Sequence, residues 1–169
     1  MTRDQKTYLA WLNNAYAQEL SMATMYEMHA KDASKGLNQF PELAKKLHEH
    51  AEKCRQWAGL MKECLAHHQA SPNPFKIGFG QIMGVGLGFT GDVTIDKVIM
   101  NDLTDLGMAN FEIGAYITVT AAAKAMKDEH TLKAGQQILA EKRAFAQWLE
   151  QQIPEVTQTF LERTIGQYV

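Results

Sequence analysis

The sequence predicts an all-α protein, a four-helix bundle in which one long connection crosses over between the second and third helices. The four prolines leave long stretches free of the strongest helix breaker: 2–40, 42–71 and 92–153. Six of the twelve glycines fall in the single window 78–91, between two helical halves. A chain of 169 residues can bury a core of its own, and we expect residues 1–169 to form one helical domain.

The first half of the chain is predicted to form two long helices. Thr2-x-x-Gln5 predicts a capping box at the start of the first, which we expect to end near Ser34-Lys35-Gly36. Pro41 suits the first turn of the second helix. Seven positions of the second helix follow strict three- and four-residue spacing and should face the core: Leu43, Leu47, His50, Cys54, Trp57, Met61 and Cys64.

The third helix is predicted to begin after the glycine window, with Asp92 or Thr94 as its cap, and to run to about Met126. Apolar spacing places six of its residues on one face, which we expect to pack inward: Ile99, Leu103, Leu106, Asn110, Ile113 and Ile117.

Asp128 can cap the fourth helix, which Pro154 should break or kink before a short amphipathic C-terminal helix from Glu155 to about Ile165. The expected inward stripe of the fourth helix is Ala134, Ile138, Glu141, Phe145, Leu149 and Gln152. A short first turn, a middle connection of roughly 20 residues and a short third turn give the connectivity of a ferritin-like bundle, because a simple up-and-down bundle needs no long middle loop.

Composition and charge exclude several classes of protein. An apolar fraction of 46% excludes intrinsic disorder, and 17 basic against 19 acidic side chains leave no basic excess for nucleic acid. No run of 18 apolar residues occurs, so we expect no membrane partner and a cytoplasmic location. Cys54 and Cys64 would lie about 15 Å apart on one helix, too far to form a disulfide, and should be buried thiols in a reducing compartment.

A di-metal site in such a bundle uses one inward Glu from each of two helices and a Glu-x-x-His motif from each of the other two. The sequence contains no Glu-x-x-His. The fourth helix offers Glu141, but Ala144 follows at the histidine position. The second helix offers Leu47-x-x-His50, which lacks the acid, or Glu52-x-x-Arg55, which lacks the imidazole.

Helix phase distinguishes these candidates. At 100° per residue His50 falls within the apolar stripe and Glu52 points away from it, so His50 should face inward as a ligand or as a hydrogen-bonded core histidine. Glu19 and Glu112 border apolar stripes and could extend to the interior or to solvent. Glu141 lies within a stripe, where an unpaired carboxylate would cost several kcal/mol, and should have a metal, Arg or His partner.

Several segments together resemble the ferritin-like bacterial proteins of the YciE/YciF type, over roughly residues 8–154: Trp11–Glu19, His29–Ala33, Asn110–Tyr116, Ile138–Glu141 and Ala146–Glu150. The resemblance implies a ferritin-like core, often with a fifth short helix, that is usually dimeric, linked to bacterial stress responses and commonly labelled a candidate ferroxidase. It also implies site residues at Glu19, His50, Glu52, Glu112 and Glu141.

The chain departs from the family pattern near that site. Ala109-Asn110 stands where Glu-His is expected, Lys142-Arg143 where acids are expected, and Arg55 where some relatives place histidine. These changes remove ligands and add cations, so a full di-metal centre is not expected.

Two leading functions and one weaker hypothesis follow from the sequence, and the missing Glu-x-x-His motifs favour the first function. The first is a stress-associated protein with a degraded di-metal site, acting without catalysis as a structural or interaction protein. Apolar surface beyond the needs of one core predicts that it is a homodimer. The alternative is an iron- or manganese-binding, ferroxidase-like protein using Glu19, Glu112, Glu141 and either His50 or Glu52. A third hypothesis, small-molecule binding beneath the glycine-rich segment, rests on composition alone.

Overall fold

The computed structural model describes residues 1–35, 39–73 and 96–165, and the regular structure within these ranges is entirely α-helical. The four helices are α1 (Arg3–Asp32), α2 (Pro41–His67), α3 (Lys97–Ala125) and α4 (Glu129–Ile165). The predicted all-α class is thereby confirmed. The glycine-rich window and the predicted caps Asp92 and Thr94 lie outside the described residues. Among the described helices, none is long and apolar enough to span a bilayer.

Local capping chemistry sets several helix ends where the sequence predicts them. Thr2 and Gln5 form the reciprocal capping box, with N–H···O distances of 2.8 and 3.3 Å between backbone and side chain. Pro41 is the first residue of α2. Oδ1 of Asp128 accepts a hydrogen bond from the Thr131 N–H at 3.0 Å, which caps α4. These interactions depend on residues within one turn, so they can be predicted from sequence.

The predicted short C-terminal helix is not separate but continues α4. Pro154 lies inside α4, although proline removes a backbone donor and crowds the preceding turn. Tertiary contacts hold the extension in place. Val156 and Phe160 are buried, and the Arg163 guanidinium donates to the Gln39 carbonyl at 2.7 Å. Packing therefore outweighs the local preference of proline to end the helix.

Side-chain pairs show the directions of the helices. The start of α1 lies beside the end of α2, where the rings of Tyr8 and His68 are 5.6 Å apart. The end of α1 lies beside the start of α3, where Nδ1 of His29 is 2.6 Å from Oδ1 of Asp105. Because α1 is antiparallel to both, α2 and α3 are parallel, and the end of α2 and the start of α3 lie at opposite ends of the bundle. This is the predicted crossover connectivity.

The inward stripe of α2 is confirmed at every position. All seven predicted residues are buried, with exposed fractions of 5% or less: Leu43, Leu47, His50, Cys54, Trp57, Met61 and Cys64. Both cysteines are free and buried, as expected.

The predicted inward face of α3 is confirmed in part: Ile99, Leu106 and Ile113 are partly buried and pack against the core, but Leu103, Asn110 and Ile117 are exposed. Leu103 and Ile117 are 49% and 46% exposed, whereas Asp102, Asp105 and Glu112 are buried. The helix turns its acidic side chains into the bundle because cationic and aromatic groups on other helices receive two of them: His29 pairs with Asp105, and Lys142 with Glu112. Apolar spacing within α3 could not reveal those partners.

Candidate functional site

A buried lysine lies at the centre of the site. α4 places Lys142 in the interior of the bundle, where it is 1% exposed. Its Nζ atom is 3.0 and 3.1 Å from Oε1 and Oε2 of Glu19 and 2.5 Å from Oε1 of Glu112. Both glutamates are completely buried. The three side chains, from α1, α3 and α4, form what we call the Lys142 cluster.

Aromatic rings complete the surroundings of the ammonium group. Nζ of Lys142 lies 4.4 Å from the centre of the Trp57 ring and 5.4 Å from that of Tyr116, distances typical of cation–π contacts. The Tyr26 hydroxyl donates to Oε2 of Glu112 at 3.1 Å. Protein groups thus surround the charges of the cluster, although Oε1 of Glu19 is in ion-pair contact with Lys142 without a hydrogen bond of its own.

The pKa shifts reflect competition between burial and pairing. Burial opposes the Lys142 charge, but the nearby Glu112 and Glu19 carboxylates outweigh it and raise the Lys142 pKa above its usual value. Burial raises the pKa of Glu19; Lys142 opposes this rise and Glu112 adds to it. Two carboxylates face one ammonium, so the fully ionised cluster would carry one net negative charge. Proton uptake by Glu19 removes that excess charge.

A ferritin-type di-metal centre does not fit these residues. Glu19 and Glu112 match the single glutamates of two helices, and one ligand atom from each lies within 4.8 Å of Sγ of Cys54. In place of the two Glu-x-x-His motifs, however, α2 and α4 present Cys54-x-x-Trp57 and Lys142-x-x-Phe145 around the cluster. Tryptophan and phenylalanine offer no ligand atom, and the ammonium group lies between the two glutamates.

His50 faces the core, as helix phase predicts, but it packs as an aromatic ring. It is 5% exposed and stacks on Phe145 with ring centres 3.5 Å apart, between the edges of Tyr26 and Trp57. Burial, reinforced by nearby lysines including Lys142, lowers its pKa well below the usual value, so the ring is neutral. Among the described residues, no set of three potential metal ligands within 4.8 Å includes His50.

Glu52 lies on the surface, again as helix phase predicts. Its side chain is 53% exposed and pairs with Arg55 one turn away. It is therefore separate from the buried glutamates.

The predicted inward position of Glu141 is wrong. Its side chain is 31% exposed, and Oε2 accepts a hydrogen bond from Nζ of Lys53 at 2.6 Å. The side-chain partner in this structure is therefore a surface lysine rather than an arginine or a histidine. Lys142, one residue or 100° further round the helix, takes the inward position.

Sequence reasoning missed Lys142 as a core residue, although a signal existed. Ile138, Lys142, Phe145 and Leu149 follow four-three-four spacing, which is as regular as the stripe through Glu141. The expected inward stripe contains Glu141 rather than Lys142, and lysine is rarely buried unless it is paired. The cluster supplies that pairing from two other helices.

A second group of buried polar side chains lies nearer the start of α3. His29 and Asp105 pair at 2.6 Å, with both side chains buried. Asp102, 2% exposed, has no hydrogen-bond partner for either carboxylate oxygen among the residues described. Burial, and then the neighbouring Asp105, raises the pKa of Asp102 to about 7. When Asp102 is ionised, it therefore lowers the stability of the folded protein.

Comparison with known proteins identifies the type of fold. Residues 3–162 match the family described as a domain of unknown function, DUF892. A crystal structure of a protein from Xanthomonas campestris pv. campestris shares 21% identity at a TM-score of 0.79, covering 96% of this chain and 99% of that one. Bacterioferritin of Rhodobacter capsulatus, described with a metal-free dinuclear site and heme iron, shares 18% identity at a TM-score of 0.73, covering 95% and 93%. The fold is therefore ferritin-like.

Proposed function

The chain belongs to the DUF892 family, and we propose that in this member the Lys142 cluster occupies the place of the ferritin-type di-metal centre. In this proposal the protein works without metal catalysis, as a dimeric structural or interaction protein. From the resemblance to YciE/YciF-type proteins we also infer a role in a bacterial stress response.

The observation that carries the proposal is the position of the Lys142 ammonium between Glu19 and Glu112. A divalent ion bound to these glutamates would lie about 4 Å from the ammonium group. At an effective dielectric constant of about 20, the repulsion would be about 8 kcal/mol. The metal would first have to deprotonate or displace the lysine, and the same carboxylates raise the lysine pKa. Occupation by metal is thus strongly disfavoured.

A cluster of this kind suits a structural role. It joins α1, α3 and α4 through one cation, and each carboxylate would be an unpaired buried charge without it. Any other packing of these helices would leave at least one of these charges buried without a partner. The cluster therefore favours one arrangement of the bundle.

The outer surface of α3 supports the dimeric part of the proposal. Between residues 98 and 123 the charged side chains are Asp102, Asp105 and Glu112, and all three are buried. Every exposed residue in this stretch is therefore uncharged. Leu103, Phe111 and Ile117 are 49%, 52% and 46% exposed. We call this surface the α3 outer face, and uncharged apolar surfaces of this kind are typical of interfaces.

A second copy of the chain is the partner that suits this face. Leu103 and Ile117 each lie seven residues from Asn110, so two antiparallel copies of α3 can pair about a two-fold axis near Asn110. Leu103 would then pack against Ile117 of the partner subunit. Gly107 and Gly114 lie on the same face with open space beside them, which allows the two helices to approach closely.

Metal analysis and a ferroxidase assay together test the metal-free function. Protein purified without chelators should contain substoichiometric iron and manganese. Adding ferrous iron and oxygen should give no burst of oxidation above a buffer control. One or two tightly held iron or manganese ions per chain, or a ferroxidase burst, would overturn the proposal and support the metalloprotein alternative.

A further inference from the structure

A group of potential metal ligands, separate from the Lys142 cluster, lies at the end of the bundle where α2 ends and α4 begins. One ring nitrogen each of His67 and His68 and one carboxylate oxygen of Asp128 lie within 4.8 Å of one another. Nε2 of His68 is 2.6 Å from Oδ2 of Asp128. Asp128 is fourteen residues from Lys142 along α4, or about 21 Å at the helical rise, so this group is separate from the Lys142 cluster.

The fold holds the carboxylate of this group in place. Oδ1 of Asp128 accepts the Thr131 N–H at 3.0 Å, and Oδ2 accepts the Tyr8 hydroxyl at 2.7 Å. His68 lies at the C-terminal cap of α2 and packs edge-on against Tyr8. Carboxylate and imidazole are thus oriented by contacts with α1, α2 and α4. Such supporting contacts are characteristic of metal sites with defined geometry.

The third donor is accessible and adjustable. His67 is exposed, and its ring stacks on that of His130 with centres 5.2 Å apart and an angle of 18° between the ring planes. Bonds of about 2.0–2.1 Å to a tetrahedral ion place donor atoms roughly 3.3 Å apart. Nε2 of His68 and Oδ2 of Asp128, now 2.6 Å apart, would have to separate by about 0.7 Å to reach that spacing, and His67 already lies within 4.8 Å of both residues' donor atoms.

From this geometry we propose that His67, His68 and Asp128 bind one divalent transition-metal ion of the zinc, nickel or copper class. Two imidazoles and one carboxylate match the ligand preference of these ions rather than that of magnesium or calcium. The C-terminal end of α2 carries partial negative charge, which favours a cation there. His130 stacks on the ring of His67, and the exposure of His67 lets an ion reach the site from solvent.

A second group of three potential metal ligands lies at the surface and serves as a comparison for the proposed site. Glu27, His48 and Glu52 also place three potential donors within 4.8 Å, but Arg55 pairs with both glutamates and supplies a competing cation. His48 is exposed, as is His67. His48→Ala therefore removes an exposed histidine from a donor group that we do not expect to bind metal.

Zinc titration of the whole chain by isothermal calorimetry tests the proposal, with circular dichroism confirming that each variant is folded. The wild type should bind one Zn²⁺ per chain. His67→Ala should weaken binding at least about tenfold, and His48→Ala should leave it unchanged. Asp128→Asn, which keeps the size of the side chain, should also weaken binding. His67 makes ring contacts at the surface, so its replacement should leave the fold intact.

Cobalt(II) gives a second measurement. Bound to the wild type, it should show the visible absorption of a tetrahedral or five-coordinate ion, and His67→Ala should abolish that absorption. Absence of zinc uptake by the folded wild type would overturn the proposal. Equal zinc affinity in wild type and His67→Ala, or equal losses in His67→Ala and His48→Ala, would overturn it as well.

Discussion

The ammonium nitrogen of Lys142 lies 2.5 Å from Oε1 of Glu112, with both side chains shielded from water inside the bundle. Glu19 contacts the same ammonium group from α1. One cation therefore contacts two buried carboxylates on different helices. In the proposed function, this contact both stabilises the bundle and keeps metal from the two glutamates.

Lys142→Met should destabilise the protein strongly. The substitution keeps the apolar stem but leaves Glu19 and Glu112 as buried carboxylates without a cation. Breaking a buried ion pair in this way costs about 3–5 kcal/mol of unfolding free energy. Urea denaturation at neutral pH measures the change.

Lys53→Met is the control for that experiment. Lys53 pairs with Glu141 at the surface, where its side chain is 49% exposed, so its loss should cost less than about 1 kcal/mol. Equal destabilisation by the two substitutions would show that the Lys142 cluster contributes no more than a surface pair.

Asp102→Asn should change how stability depends on pH. Burial raises the folded-state pKa of Asp102 to about 7, above its ordinary 3.8. Because the folded state favours neutral Asp102, the stability that this group contributes is fully present below about pH 4. That contribution is lost as the pH rises through about 7 and the carboxyl group ionises. The wild type should therefore lose about 1–3 kcal/mol relative to Asp102→Asn between pH 4 and pH 8. Urea titrations at several pH values measure this difference.

Asp96→Asn serves as the exposed comparison on the same chain. Titrated in the same way, it shows how much of any pH-dependent difference comes from removing an exposed carboxylate. A stability difference for Asp102→Asn that does not change with pH would contradict the prediction.

Glu141→Gln should have little effect, because Glu141 pairs with Lys53 at the surface. We expect a loss below about 1 kcal/mol, and melting curves of wild type and variant that respond equally to chelator, Fe(II) and Mn(II). Melting curves recorded under those conditions provide the check. A stabilisation of the wild type by Fe(II) or Mn(II) that disappears in the variant would instead identify Glu141 as a metal ligand.

Ile117→Lys should convert a dimer into a monomer. The substitution puts a charge on the α3 outer face and, in the proposed pairing, buries it against Leu103 of the partner subunit, which is unfavourable without a partner charge. Light scattering at micromolar concentration should give twice 19.0 kDa for the wild type and 19.0 kDa for the variant.

Leu161→Lys is the matched control, since Leu161 is an apolar residue of α4 that is 52% exposed. It should leave the mass at that of the dimer. A wild-type mass of 19.0 kDa would contradict the dimer directly.

The sequence alone determined several helix ends and the inward side of α2. The capping box of Thr2, the first-turn Pro41 and the cap at Asp128 lie within a turn of the groups that they bind. The helix α2 has a single apolar face, so its inward side could be assigned without knowledge of the neighbouring helices. The inward position of His50 and the outward position of Glu52 followed from the same periodicity.

Only the tertiary structure decided which side chains of α3 and α4 face the interior. In α4 the stripes through Glu141 and Lys142 share Ile138, Phe145 and Leu149, so spacing could not separate them. In α3, Asp105 and Glu112 lie inside while Leu103 and Ile117 lie outside, because another helix supplies a partner for each of these two buried acids. Lys142 and Glu112 are thirty residues apart, and their mutual burial depends on the distance between helices rather than on either local pattern.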